Sequence, residues 1–548
     1  MATKYTKEDL INMSSESKDL LIISLQDQVD QLKDSIEKLI EEVRIANQYR
    51  FGRHSEKMDV IDGQLSLFDE AETLFDESVD ELDLEDVLPP KRKGKKEKGK
   101  RDKDLDSFEQ VIIPAHDVSP EKLDEFFGPG NWKPWFEDDT YKRLRYVPAK
   151  WITEVHTVKV YVGTDGIHSD EFYRGDRPKD LLENSFLTPS LAAAILNGKY
   201  VNSLPFYRIE QEFKRNSVNI SRQDMANWTI YLANYYFIPF CERMKYHLLK
   251  LHVNQCDETP CQVIHDGGSP GSKSYMWVHR SGELYRDKNI VLYEYQKGRD
   301  HHLPLEYYKN FRGVLETDGL QQYHLVEKKA EGIINANCWA HARRSYSDAV
   351  KAASKDFKDN PDAARNTIAY QALARIGTIY KLEGTLKDMS PEERLKERRK
   401  TIKPLVDEYF AWVKEVLSTM LPKGKTAEGL NYSINQEKQL RVFLEDGEVP
   451  IDNSASERSI RTFCVGKKNW LFFDSIKGAN SGAAIYNVTE TAKANKLHLY
   501  KYLEYLLTEL SQLRDDKGNI DIEKLDPLMP WSPDLPDDVR KPERKEAD

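Results

Sequence analysis

The sequence predicts a mixed α/β protein: an α/β core interrupted by a helical insertion, with a coiled coil and a helical region ahead of it. Three observations carry this. Short apolar, β-branched runs recur between 250 and 345; the stretch 346–445 is charged and helical in pattern; and apolar residues near the start alternate spacings of four and three. At 548 residues the chain has length for three or four domains of roughly 150 residues each, enough to bury a sizeable core. A composition 39% hydrophobic and 32% charged fits a soluble protein. No apolar run approaches the ~18 residues of a membrane span, and "MATKYTKEDLINMSSESKDL" lacks a secretory apolar segment. Five cysteines without a C-x-x-C pair argue for reduced thiols and a cytoplasmic location.

Leu25, Val29, Leu32, Ile36, Leu39 and Val43 form an a/d seam with polar residues between them. That is the mark of a short coiled coil, which most simply makes a homodimer. With the basic turn "RFGRHSEK" it fills residues 1–58. A linker at 59–106 follows. Its first part, 69–86, carries acid and no base, whereas 91–103 is almost entirely basic. The net charge of −11 is therefore segregated, and Arg53, Lys91, Arg92 and Lys93 are candidates for phosphate contact.

The next stretch, 107–170, reads as a small β unit, with "WITEVHTVKVYV" (151–162) as a strand. Residues 171–249 read as helical, Ser221 being a plausible N-cap. Lys199, Arg208, Lys214, Arg215 and Arg222 make this a candidate DNA-binding region.

The core is predicted at 250–345 and 446–495. "LKLHVNQ" is strand-like and delivers Asp257 at its end; "SYMWVHR" and "NIVLYEYQ" follow as strands. "LPLEYYKNF" suggests a helix, "GVLETDG" a strand ending in Asp318, and "GIINANCWAH" another strand before a helix starting near Ala342. Three antiparallel strands, a helix, a strand, a helix and a strand is the order of a ribonuclease-H-like core. The helical insertion occupies 346–445. Beyond it, Ser454-x-x-Glu457 has the form of a capping box, and 496–548 holds a C-terminal helix and a Pro-rich tail.

Asp257 and Asp318 would share one sheet edge if their strands are neighbours, and a third carboxylate from a nearby helix would complete an oxygen-only site. Such sites suit Mg²⁺, and two ions about 4 Å apart can activate a hydroxyl and stabilise the leaving oxygen of a phosphodiester. Taken alone, each aspartate is as readily a turn former. Glu258 points the other way along its strand and reads as a surface or supporting residue. Cys338 and His341 have C-x-x-H spacing without a second pair, so packing under the sheet edge explains them better than metal binding.

"CDETPCQV", "ETDGLQQY", "NCWAHARRSY", "DNSASERSIR" and "GKKNWLFFDSIKGANSGAAIYNVTETAKAN", in this order, closely resemble the DDE transposases of the insertion-sequence-66 family. The resemblance extends to the N-terminal coiled coil, "RFGRHSEK" and the Trp-containing tail. It implies a ribonuclease-H-like catalytic core and assigns the catalytic, Mg²⁺-binding acids to Asp257, Asp318 and Glu457, with Mn²⁺ able to substitute and Glu490 the rival third acid. The implied reaction is hydrolysis at transposon ends, then attack of the freed 3′-hydroxyl on target DNA. Arg458, Arg461, Lys467 and Lys468 would hold phosphates near the acids, and Arg343 and Arg344 would also touch DNA. Double-stranded DNA is the implied partner, with helper proteins of the same element as further candidates. The family's four-cysteine zinc motif has no counterpart in "FFGPGNWKPW" or "YVGTDGIHS", so no zinc is expected; His156 and His168 are a poor substitute. The alternatives are a catalytically inactive DNA-binding regulator derived from a transposase, and a structure-selective nuclease.

Overall fold

The computed structural model describes residues 178–541 apart from 269–272, 353–365, 420–423 and 516–517, together with short stretches within 14–26 and 119–176. The heptad seam beyond Leu25, the linker, Arg53, Lys91, Arg92, Lys93 and His168 lie outside the described residues. Two units are distinguished, one of residues 90–178 with 542–548, the other of 1–89 with 179–541.

In the smaller unit, helix α1 spans Pro120–Phe127, with Pro in its first turn, where a missing N–H costs nothing. Strand β1 (Val160–Val162) pairs antiparallel with β2 (Phe172–Arg174). Among the described residues of the β unit expected at 107–170, these strands form one short antiparallel pair, and β2 lies past 170. The residues from Ile152 to Val158 are not in a strand despite their alternating pattern, and Ile152 and Val155 are exposed. Without strand pairing and a buried face, β-propensity alone does not hold a strand.

The larger unit opens with helices α2 (Pro189–Leu196), α3 (Phe206–Arg215), α4 (Arg222–Leu232) and α5 (Ile238–Leu248). Ser221 caps α4 as the sequence predicts, in a reciprocal box with Asp224. Next come β3 (Val253–Cys261), β4 (Val263–His265), β5 (Ser274–Ser281), β6 (Val291–Gln296), α6 (His302–Tyr307), β7 (Gly313–Thr317), α7 (Gln321–Lys329), β8 (Ile333–Asn337) and α8 (Trp339–Ala352). Five of these strands make one mixed sheet in the order β6-β5-β3-β7-β8, antiparallel from β6 to β3 and parallel from β3 to β8.

Alternation sorts the faces of this sheet. Cys256, Trp277 and Leu315 meet Tyr308, Tyr323 and Val326 of the α6–α7 side. On the opposite face Val253 and Val314 join a core with Trp339, Tyr346 and the insertion. The insertion's helices are α9 (Ile368–Gly384), α10 (Pro391–Glu397), α11 (Lys403–Thr419), α12 (Lys425–Asn435) and α13 (Glu437–Leu440). The helix expected near Ala342 begins at Trp339 and runs to Ala352, across the boundary set at 346. After the insertion come α14 (Ser454–Trp470), β9 (Phe473–Ser475), α15 (Ile476–Ala494) and α16 (Leu499–Leu513). Edge strand β6 is covered by α15: Thr491 Oγ1 accepts from Val291 N and donates to Val291 O, and Asn487 accepts from Tyr293 N. Side chains there do for an open edge what another strand would. No helix among the described residues is long and apolar enough to cross a membrane.

The insertion is locked internally by one buried ion pair. Arg398 is fully buried, donates to both oxygens of Glu383 on α9, and donates to the carbonyls of Phe443 and Asp446 at 2.8 and 2.9 Å. Removing one partner strands a buried charge, so Arg398→Met is expected to lower stability by about 3–5 kcal/mol. Denaturant unfolding followed by helical signal measures this, and adding Glu383→Leu should recover much of the loss.

Candidate active site

Parallel pairing places two acids side by side. Gln255 on β3 is opposite Glu316 on β7; two residues further on in each strand stand Asp257 and Asp318, in the same register and on the same face. β7 ends at Thr317, so Asp318 opens the loop that follows. Asp257 is not at a strand end as expected. β5 keeps pairing with β3 as far as Cys261, and Asp257 lies opposite Val278. What ends near Asp257 is its pairing with β7, which opens the sheet on that side alone.

The Asp318 loop is tightly held. Asp318 Oδ1 accepts from Leu320 N at 3.0 Å, and Tyr432 of α12 donates to Asp318 O at 2.8 Å. Gly319 has φ +88°, and a Cβ there would lie 2.8 Å from the Tyr432 hydroxyl and 2.9 Å from Asn337 Nδ2. Only glycine meets both demands. Asp257 Oδ1 accepts from Glu258 N at 2.8 Å.

Glu457 sits in the first turn of α14, but the expected capping box is absent. The N-cap is Asn453, Ser454 is the first helical residue, and the Asn453 side chain makes no capping bond. Asp452 satisfies part of the helix start instead, its Oδ1 accepting from Ser454 N at 3.0 Å while its Oδ2 accepts from Tyr380 of α9 at 2.7 Å. Asn453 bonds to the sheet side, where its Nδ2 donates to Cys256 O at 2.9 Å and its backbone N–H to Cys338 Sγ at 3.1 Å. The helix start is therefore sewn to β3 and to the head of α8.

Beneath the acids, on the same face, lies a buried polar row. Arg280 of β5 is opposite Gln255, which is opposite Glu316. Gln255 Nε2 donates to Glu316 Oε2 at 2.6 Å and to Asp452 O at 3.1 Å; Arg280 Nη1 donates to Ala455 O at 2.8 Å and to Ser459 Oγ at 3.3 Å. This row, missed in the sequence, holds α14 down. Its one sequence signal is the shared spacing, since Gln255 and Glu316 each stand two residues before an aspartate.

Burial, then the charge of Asp318 and after it those of Glu258 and Glu457, pushes the Asp257 carboxyl well above its usual range. Asp318 is pushed up to about 6 by burial and then chiefly by Glu258. Glu457 faces α8: Arg344 Nη2 donates to its two oxygens at 2.8 and 3.0 Å, and His341 Nε2 lies 3.6 Å away. Burial, then Arg344, lowers the His341 pKa, favouring the neutral ring. Glu258 turns to the other face, accepting from Gln322 at 2.9 Å and from Tyr323 at 2.5 Å.

The rival acid lies elsewhere. Glu490 is on α15 beside β6, two strands from β3, and accepts from Thr462 at 3.1 Å and Lys493 at 3.4 Å. Cys338 is buried and packs beneath the edge. Of the expected phosphate contacts, Lys467 needs correction: it is 4% exposed and its Nζ donates to Pro260 O at 2.7 Å, bracing the end of β3. Arg458 is exposed and paired with Glu283; Arg461 is half-buried; Lys468 lies in the last turn of α14; Arg343 stacks over Tyr380. His156 is exposed beside Glu154.

Because Asp318 holds its proton more tightly in the folded chain than in the unfolded one, metal-free protein loses stability as pH rises from about 4, the ordinary carboxylate range, to about 6. Above that window the penalty is complete, and below it absent. With metal ions chelated, Asp318→Asn is expected to melt higher than wild type at neutral pH, by the equivalent of about 1–2 kcal/mol. The gap should close toward pH 4 in parallel thermal melts.

Known proteins resemble this chain over most of its length. An uncharacterized protein of Sinorhizobium fredii, y4qI, is 27% identical over 520 residues, covering 91% of this chain and 89% of its own. A second from that organism, y4hP, is 25% identical over 353 residues, or 63% and 62% of the two chains. The family model described as Transposase C of IS166 homeodomain matches residues 38–113. The model described as Transposase IS66 family matches residues 184–481, more than half of the chain and all three acids with the insertion between them, and the protein belongs to that transposase family.

Proposed function

We propose that the core is ribonuclease-H-like and that Asp257, Asp318 and Glu457 are the catalytic acids of a DDE transposase that cuts transposon ends and joins them to target DNA. The observation that carries this is the register: two aspartates level on adjacent parallel strands, with the Glu457 helix stitched over the same face. The sheet order, with three antiparallel strands followed by two parallel ones across helical connections, supports the fold reading. The N-terminal heptads support a dimer.

The donor chemistry of the three acids suits divalent metal. They supply oxygen only, and burial with the charges of neighbouring acids raises Asp257 and Asp318, the environment a hard cation relieves. Bound there, Mg²⁺ or Mn²⁺ would supply charge neutralisation at the phosphodiester and an activated hydroxyl. The chain's own part is to hold the carboxylates rigid: Asp318 through Leu320 N and Tyr432, Glu457 through Asn453 and Arg280. Arg458, Arg461 and Lys468, all on α14, would meet the DNA backbone.

Asp257→Asn, Asp318→Asn and Glu457→Gln are each expected to slow cleavage of the element's end DNA by ~10³-fold or more, with DNA binding retained in gel shift. Glu490→Gln should cut within about tenfold of wild type. Full cleavage by Glu457→Gln would return the third place to Glu490. A wild type that shifts end DNA yet cuts nothing in Mg²⁺ or Mn²⁺ would mark a binding-only regulator.

A further inference from the structure

Glu457 already has a cation from the chain itself. A single nitrogen, Nη2 of Arg344, bridges both of its oxygens, and Arg344 Nη1 lies 3.1 Å from His341 Nε2. Arg344 stands on α8 and Glu457 on α14, so the pair spans two elements rather than one helix. Among the described residues the three acids are not gathered as closely as ligands of one ion. Both Glu457 oxygens are engaged by Arg344 of α8. The Arg344 side chain is half-buried, 32% exposed.

A divalent ion and a guanidinium compete for the same two oxygens. An ion bound close to Asp257 and Asp318 also repels a fixed positive charge beside it. Guanidinium suits phosphate oxygens as well as it suits carboxylate. We propose that Arg344 is a displaceable counter-ion: it neutralises Glu457 while the site is empty, leaves it when metal binds, and then grips a phosphate of the DNA being cut. The proposal rests on the three-acid metal reading above. It gives Arg344 two partners in succession, carboxylate then phosphate, and makes it a positioning residue in the first state.

The test is Mn²⁺ binding to the metal-free full-length protein without DNA, followed by calorimetry or electron paramagnetic resonance. Arg344→Gln is expected to bind Mn²⁺ about tenfold more tightly than wild type, and Arg344→Lys, which keeps the charge but not the fork, to fall between them. In a Glu457→Gln background the Arg344→Gln change should give no gain. With end DNA present, Arg344→Gln should cut about 10²-fold more slowly despite its tighter metal. Unchanged or weaker Mn²⁺ binding by Arg344→Gln, or a gain that persists with Glu457→Gln, would overturn the proposal and leave Arg344 a brace or a diffuse charge. Failure of the underlying reading has its own signature, because then wild type and Asp257→Asn would bind Mn²⁺ equally or not at all.

Discussion

Parallel pairing between β3 and β7 sets the geometry on which the rest of the site depends. With Gln255 opposite Glu316, Asp257 and Asp318 must stand level and on one face, since a slip of one residue would turn one of them to the α6–α7 side. The apolar row Val253 and Val314, two residues before Gln255 and Glu316, protects against that slip by burying itself in the insertion core. Folding thus forces together two carboxylates that repel. Both are pushed up by burial and by neighbouring acids, and the hydrophobic rows bear that cost for the site.

The third acid is brought in differently. Arg280 and Gln255 reach up from the sheet to backbone carbonyls and a hydroxyl at the start of α14, and Asn453 reaches down to Cys256 O. These bonds join the helix to the same strand that carries Asp257. Glu490 is bound to a different geometry: its helix α15 seals the β6 edge through Asn487 and Thr491, and its carboxylate stays with Thr462 and Lys493. A buried acid in an apolar run needs a partner, and here the partner is local.

Much of this was legible in the chain. Asp257 and Asp318 on one face, the Ser221 cap and the turn of Glu258 to the opposite face follow from alternation and capping rules. The coarse mixed α/β architecture with a helical insertion stands. What was not legible depended on pairing between residues distant in sequence. Asp257 looked like a strand end because its run of apolar residues stops, whereas β5 carries the strand on to Cys261. Ser454 looked like a cap because Ser-x-x-Glu has that form, yet Asp452 and Asn453 take the helix start and leave Glu457 facing Arg344. Ile152 to Val158 alternate like a strand but join no sheet. Lys467 looked like a surface cation, and its burial against Pro260 follows only from how α14 crosses the end of β3.

These contacts also explain why a long insertion can sit between the second and third acids without loosening the site. Tyr432 of α12 holds the Asp318 carbonyl, Gln436 bonds the side chain of Asn337 at 2.8 Å, and Tyr380 of α9 holds Asp452 just ahead of α14. The insertion touches the backbone on both sides of the gap it creates. Its helices are tied to one another and to the residues before α14 by the buried Arg398–Glu383 pair and the Phe443 and Asp446 carbonyls. The distance between Asp318 and Glu457 is then set by packed helices instead of by a flexible loop. Positioning to within fractions of an ångström needs rigid support, and here the support is the intervening chain itself.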